Sequence, residues 1–351
     1  MSLKRETHLP YMPSIDGLRA LAVLAVFFFH VGVTWMPGGF LGVEVFFVVS
    51  GFLITSLLLS EVRNDGSVAL GNFWVRRARR LLPALFLVLA VTSVLALLLA
   101  PGEVASLRGD VLAALVYLTN WDFIIASKSY FEVMGRPPLV QHLWSLAVEE
   151  QFYLVWPLVT VGLLTAVRSA RARALIALGA GLTSTIAMAV RFEPGAGTTR
   201  VYYGTDTHLM GLMFGAALAF AYAGPDRSFF SSERWARLRH PVTVSALAVL
   251  GALLWFADEA SSWTFRGGLA AACLATTILV AVAALAFAAI AGAGFAHDGK
   301  RKRPAASVAQ AQYPSAGMAQ YQYGNKLMIC HKGRQTLLVS ARSWRGHSRH
   351  G

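Results

Sequence analysis

The sequence predicts an all-α, polytopic transmembrane helix bundle. Of its 351 residues, 56% are hydrophobic and only 14% are charged, and the mean hydropathy is +0.54. Apolar runs of about 20 residues, the length needed to cross the hydrocarbon core of a bilayer, recur along the chain. We therefore expect a multi-pass membrane protein.

Eight apolar runs are predicted to be full spans, at 18–34, 39–59, 81–100, 147–167, 174–190, 207–223, 241–257 and 267–296. A shorter run, Val111–Ile125, is interrupted by Thr119, Asn120 and Asp122, and we expect it to form a re-entrant or interfacial helix. With that assignment the basic segments all fall on one side of the membrane, at 4–5, 76–80, 168–173, 227–239 and 300–303. The positive-inside rule then places both termini in the cytoplasm.

The net charge of +13 would suggest nucleic-acid binding in a soluble protein. Here the basic residues cluster in short loops, where they set topology and contact anionic lipids. The expected partner is therefore the lipid bilayer and not nucleic acid. The abundance of Ala, Gly and Arg suggests a GC-rich bacterial gene, and the expected location is the bacterial inner membrane. Two cysteines, Cys273 and Cys330, provide neither a disulfide framework nor a metal-binding set.

The first predicted span carries two ionisable residues, Arg19 and His30. Eleven residues at about 100° each place them on nearly the same helix face, roughly 16 Å apart. A charge at mid-membrane costs roughly 2.5–3.5 kcal/mol and is normally kept for a function. The structural alternative is an arginine that extends to the lipid headgroups and a histidine satisfied by a neighbour.

A short loop around Pro37 joins the first two spans into a hairpin. His30 lies seven residues before Pro37 and Glu44 seven residues after it, so both are expected roughly 10 Å below the turn. A carboxylate that orients an imidazole is what general-base catalysis requires. We predict that Glu44 orients His30; the alternative is a buried pair that only joins the two helices.

Two further spans begin with polar residues at the outer surface. The segment HLWSLAVEEQFYLVWP places His142, Glu149 and Glu150 near the start of one helix, whose dipole favours one of the carboxylates. Adjacent glutamates cannot share one face, so one is expected to point into the bundle. The segment YYGTDTHLMGLMFGAALAF places Asp206 and His208 at the mouth of the other span, where Asp206 could also serve as an N-cap.

The segment FWVRRARRLLP carries four arginines in five residues before the third span. Arg77 and Arg80 are three residues apart, on one helix face, and arginine pairs suit bidentate recognition of phosphate. A positive-inside anchor explains the same charges. Both interpretations remain open at this point.

Five segments in this order resemble the integral-membrane acyltransferase 3 family, over about four-fifths of the chain from Tyr11 to Leu285. They are DGLRALAVLAVFFFH, GGFLGVEVFFVVSGFLIT, FWVRRARRLLPAL, HLWSLAVEEQFYLVWPL and YYGTDTHLMGLMFGAALA. Members of that family attach acetyl or other acyl groups to sugars of O-antigens, peptidoglycan, Nod factors and macrolides. The resemblance implies an acyltransferase that uses acyl-CoA as donor, without a metal, and a saccharide hydroxyl as acceptor.

The resemblance also implies roles for individual residues. Arg77 and Arg80 match the family's RxxR motif and would hold the nucleotide phosphates, and Arg19 would guide the pantetheine arm. His30 would act as general base or form an acyl-imidazole. Glu44, where relatives often carry Asp, would be the orienting carboxylate. Glu149 and Glu150 of the SLxxEEQFY block would contact the acceptor or stabilise charge. The implied substrate contacts are His142, Asp206 and His208, and relatives often carry Arg at the position of His208.

The C-terminal part departs from the family. Residues 1–296 form the expected transmembrane domain, and residues 297–351 a basic cytoplasmic tail expected to lack stable packing. Similar proteins continue through further helices, and many end in an SGNH-type domain. An inactive, truncated or fused acyltransferase is therefore one alternative prediction. A transporter or flippase is the other, because polar groups inside a bundle also mark substrate pathways.

Overall fold

The computed structural model describes residues 12–131, 137–195, 197–223, 232–259, 261–298, 326–331 and 335–340. The chain divides into two compact units, Met1–Ala296 and His297–Gly351. Within the first unit the described residues form a bundle of α-helices. The basic segments predicted at 4–5 and 300–303 lie outside the described residues.

The helices follow one another as α1 (Pro13–His30), α2 (Gly42–Asp65), α3 (Leu70–Leu99), α4 (Val104–Leu115), α5 (Thr119–Ile125), α6 (Leu143–Ala166), α7 (Ala170–Arg191), α8 (Thr199–Tyr203), α9 (Thr205–Ala223), α10 (Glu233–Phe256) and α11 (Leu269–Asp298). Short 3₁₀-helices at Pro37–Leu41 and Pro101–Glu103 lead into α2 and α4, and a π-helical turn at Thr264–Gly268 leads into α11.

The predicted all-α membrane bundle is confirmed. Six helices among the described residues, α1, α2, α3, α7, α10 and α11, are long and apolar enough to cross a membrane. The other two predicted spans correspond to α6 and α9, which carry ionisable residues among their apolar ones. The interrupted run at 111–125 divides between α4 and α5, with 12 and 7 residues, and neither is long enough to span a bilayer.

Helix α9 is the most enclosed helix of the bundle and packs against α2 and α7. Its residues Met210–Phe220 are all buried, as expected for a helix that is apolar on every face. Glycines allow the α2 and α9 backbones to touch: a Cβ atom at Gly51 would lie 1.9 Å from the Leu212 carbonyl oxygen, and one at Gly215 would lie 2.0 Å from that of Val48. Close approach at small residues is typical of membrane helix pairs.

Polar residues fasten the short helix α5 to the bundle. Asn120 is fully buried and donates to the Tyr203 carbonyl oxygen at 2.9 Å and to Thr205 Oγ1 at 3.0 Å. Gln151 on α6 donates to Asn120 Oδ1 at 2.9 Å and to the carbonyl oxygen of Tyr117, whose φ is 56°. Asn120 therefore satisfies the backbone where α8 ends, and Gln151 satisfies the backbone that follows α4.

The described part of the second unit is a two-stranded antiparallel sheet. Strand β1 (Lys326–His331) pairs with β2 (Gln335–Ser340). Runs such as QTLLVS are rich in residues that favour strands, and the prediction that the tail lacks stable packing stays a prediction. Most of the tail, including 299–325 and 341–351, lies outside the described residues.

Candidate active site

A cleft of about 280 Å³ runs between α1, α2 and α6. Val23 and Val26 of α1 line it, together with Val43, Phe46, Phe47, Ser145, Leu146 and Glu149. Arg19 is one turn before Val23 and His30 one turn after Val26, so the two ionisable residues flank the cleft on one face of α1. Their separation along the helix axis is roughly 16 Å.

His30 is the last residue of α1 and is exposed. Its Nδ1 lies 2.7 Å from the Val26 carbonyl oxygen and its Nε2 lies 3.1 Å from the Tyr130 hydroxyl. A carbonyl oxygen only accepts hydrogen bonds, so in the neutral imidazole Nδ1 carries the proton and Nε2 presents a lone pair. The imidazole therefore has a defined tautomer with its basic nitrogen beside Tyr130.

The surroundings of His30 include one predicted residue and one that sequence reasoning missed. His142 precedes α6, is exposed, and interacts electrostatically with His30. Tyr130 is buried, and its ring lies parallel to that of Phe29. No motif in the sequence indicated Tyr130, because it lies in an irregular segment far from His30 along the chain.

Glu44 does not orient His30, so that prediction is wrong. The Glu44 carboxylate is buried and accepts from His208 Nδ1 at 2.5 Å and from Cys273 Sγ at 3.0 Å. Helix α2 meets α1 through Gly42, where a Cβ atom would lie 2.5 Å from the Ala22 carbonyl oxygen. Glu44 is two residues further, roughly 200° around the helix, and therefore faces away from α1.

His208 and Asp206 differ in their surroundings, although the sequence predicts both at one mouth. His208 is fully buried, so its predicted position at an open mouth is wrong. Asp206 is partly exposed and binds both nitrogens of the Arg200 fork at 2.9 Å, with Arg191 at 3.7 Å. Its carboxylate is thus occupied by arginines. Asp206 lies within α9, so the suggested N-cap role is not what the structure shows.

The adjacent glutamates of α6 have separate partners. Glu149 lines the cleft and accepts from Ser50 Oγ at 2.6 Å. It also interacts electrostatically with Arg19 and Arg77. Glu150 forms an ion pair with Arg77 at 3.6 Å, so both carboxylates, and not one of them, point into the protein.

Arg77 and Arg80 are not equivalent in the structure. Arg77 is half-buried, and its guanidinium lies 4.1 Å from the ring centroid of Tyr153. Its Nε atom and Glu150 Oε1 are buried without hydrogen-bond partners among the described residues. Arg80 is exposed. A phosphate clamp formed by both arginines stays a prediction, whereas Arg77 itself pairs with Glu150 inside the bundle.

Arg19, Arg77, Glu149 and Glu150 form the inner charged cluster. Two positive and two negative side chains offset one another, which reduces the cost of placing charges within an apolar bundle. Arg19 also lies 3.5 Å from Asp16. Among the described residues, no group of three or more His, Cys, Asp or Glu side chains is arranged to hold a metal ion.

Comparison with known proteins identifies related sequences over most of the bundle. A family profile described as an acyltransferase domain matches residues 12–293. The chain is 41% identical over 278 residues to the putative peptidoglycan O-acetyltransferase YrhL of Bacillus subtilis, covering 78% of this chain and 43% of the relative. It is 40% identical over 272 residues to the peptidoglycan O-acetyltransferase OatA of Listeria monocytogenes, covering 77% and 44%.

A putative O-acetyltransferase of Staphylococcus aureus is 37% identical over 271 residues, or 77% of this chain and 45% of the relative. The chain thus spans less than half the length of these curated relatives. No solved structure matches it. Because the family profile covers nearly the whole helical unit, the chain belongs to the integral-membrane acyltransferase 3 family.

Proposed function

We propose that the protein is a membrane-bound O-acyltransferase that moves an acetyl group from acetyl-CoA to a saccharide hydroxyl. Family membership and the O-acetyltransferase names of the relatives support this reaction class. The observation that carries the proposal is His30, whose fixed tautomer leaves a basic nitrogen at one end of the cleft. The relatives' names make peptidoglycan the proposed acceptor.

The donor would enter from the opposite end of the cleft. Arg19 and Arg77 supply positive charge there, on the side that the positive-inside rule assigns to the cytoplasm. The roughly 16 Å between Arg19 and His30 suits an extended acyl-pantetheine arm, with the phosphates near the arginines and the thioester near the imidazole. The valine and phenylalanine side chains that line the cleft suit the arm better than the charged nucleotide.

The chemistry needs one base at the far end of this path. His30 Nε2 takes the proton of the acceptor hydroxyl while the oxygen attacks the thioester carbonyl. The carbon–sulfur bond then breaks, and the imidazolium returns the proton to the CoA thiolate. General-base assistance of this kind contributes typically 10²–10⁴-fold to the rate.

The test uses the full chain in proteoliposomes, with acetyl-CoA as donor and soluble muropeptides as the acceptor probe. Mass spectrometry follows the acetylated product. His30→Gln is expected to lower transfer by roughly 10²–10⁴-fold. The matched control is His240→Gln, because His240 is exposed on α10, away from the cleft residues. Full transfer by the His30→Gln variant would contradict the proposal, and muropeptide movement without a change of mass would favour the transporter.

A further inference from the structure

Two buried polar atoms have no hydrogen-bond partner among the described residues although their rings are in contact. They are His208 Nε2 and the Tyr202 hydroxyl. The two rings meet edge to face with centroids 5.3 Å apart. Buried polar groups are normally paired, so two neighbouring unpaired groups require an explanation.

Two of the rings around His208 carry a donor of the kind its unpaired nitrogen needs, the Tyr202 hydroxyl and the Trp144 indole N–H. Trp144, Phe47 and Tyr202 pack on the imidazole, with centroids 5.2, 5.7 and 5.3 Å away. Of these two donors, only the Tyr202 hydroxyl is itself buried without a hydrogen-bond partner among the described residues. Glu44 accepts from Nδ1, so the neutral imidazole presents a lone pair at Nε2 that a tyrosine hydroxyl can satisfy.

Tyr202 also adjoins the partner of His30. The Tyr202 and Tyr130 rings lie 4.6 Å apart, and the Tyr130 hydroxyl lies 3.1 Å from His30 Nε2. Burial raises the pKa of Tyr202 well above its usual range, and the negative charge of Glu44 adds to the effect. Burial also raises the pKa of Tyr130, so both phenols keep their protons at neutral pH.

We propose that the buried Glu44–His208 pair is a positioning device for His30, acting through the hydroxyls of Tyr202 and Tyr130. Tyr202 donates to His208 Nε2, directly or across one water, which leaves the Tyr202 oxygen free to accept from Tyr130. Each hydroxyl has a single proton. When Tyr130 donates to Tyr202, the lone pair of His30 Nε2 is released for a reacting group.

No covalent bond changes in this device, since only the direction of the hydroxyl protons differs between the two arrangements. The titratable neighbours of the Glu44–His208 pair are Cys273, which donates to Glu44, and Tyr202, whose ring contacts that of His208. Those of His30 are Tyr130 and His142. The importance of this hydrogen-bond path for acyl transfer rests on the proposed function, but the availability of the His30 Nε2 lone pair can be measured without any substrate.

The experiment measures the rate at which diethyl pyrocarbonate modifies His30, read by mass spectrometry on the full chain in detergent micelles. In Tyr202→Phe, Tyr130 can donate only to His30, so we expect modification to slow by roughly 2–12-fold, the worth of one hydrogen bond. The matched control is Tyr203→Phe. The Tyr203 hydroxyl accepts from Gln141 Nε2 at 3.0 Å and lies off this path, so its removal should leave the rate unchanged.

A double variant separates the proposal from a general loosening of the site. Tyr130→Phe removes the competing donor and should speed the modification of His30. Adding Tyr202→Phe to that variant should then change nothing, because coupled residues are not additive. Glu44→Leu removes the acceptor that holds the proton on His208 Nδ1 and should slow modification as Tyr202→Phe does; if it fails to fold, the tyrosine variants still decide.

Equal rates in Tyr202→Phe and Tyr203→Phe, or additive effects of the two substitutions at positions 130 and 202, would overturn the positioning role. Neither result depends on acetyl transfer. If the wild-type chain transfers no acetyl group in proteoliposomes while the variants show the expected rates of His30 modification, the proposed function is refuted and the hydrogen-bond path is supported.

Discussion

The close contact between α2 and α9 provides a sharp test of the architecture through Gly51→Ala. The added Cβ atom would lie 1.9 Å from the Leu212 carbonyl oxygen, 2.7 Å from its carbonyl carbon and 2.9 Å from its Cα atom. All three are backbone atoms, so no side-chain rotation relieves the clash. Restoring an ordinary contact of 3.4 Å requires the helices to separate by roughly 1.5 Å, and overpacking of a rigid interior typically costs about 1–3 kcal/mol.

The assay is equilibrium unfolding in mixed detergent micelles, compared with Gly162→Ala. Gly162 is also in the interior of a long helix, but nothing lies within 4 Å of the position of an added Cβ atom. Alanine there should be neutral or stabilise the helix by up to about 1 kcal/mol. If both variants unfold at the same free energy, α2 and α9 are not in backbone contact and the structural reasoning fails.

Three further predictions concern the charged cluster, the short helix and the topology. Arg77→Lys should weaken apparent acetyl-CoA affinity by roughly 10–150-fold, the worth of a charge-assisted contact of about 1.5–3 kcal/mol. Arg80→Lys should weaken this affinity less, because Arg80 is exposed; equal losses of affinity in the two variants would instead favour a phosphate clamp formed by both arginines. Asn120→Ala should destabilise the protein by about 1–3 kcal/mol, because buried polar partners lose their hydrogen bonds. An unchanged free energy of unfolding would show that Asn120 does not hold α5 to the bundle. Reporter fusions after Arg173 should report the cytoplasm and those at Gly195 the opposite side, and the reverse would contradict the orientation.

The site illustrates how far sequence reasoning reaches within one helix. Arg19 and His30 could be placed on one face because both lie on α1, where the helical period alone sets their directions. The prediction that Glu44 orients His30 failed because it used only the depth of the two residues below the turn, which follows from the helix rise. It did not use the direction in which Glu44 points around the α2 axis. The rotation of α2 is decided by Gly42 against Ala22, a packing contact that becomes visible only when both helices are in place.

The sequence by itself determined the class of this protein: its apolar runs specify membrane helices, and the polar interruption at 119–122 specifies a segment that does not cross. Only the tertiary structure decided which polar groups meet. Glu44 and His208 are 164 residues apart, and α2 and α9 are apolar on nearly every side, so hydropathy contains no information about which faces join. His30 and Tyr130 are 100 residues apart. The Glu44–His208 pairing follows from the backbone contact of α2 and α9 at Gly51 and Gly215, which is a property of packed helices and not of any one segment.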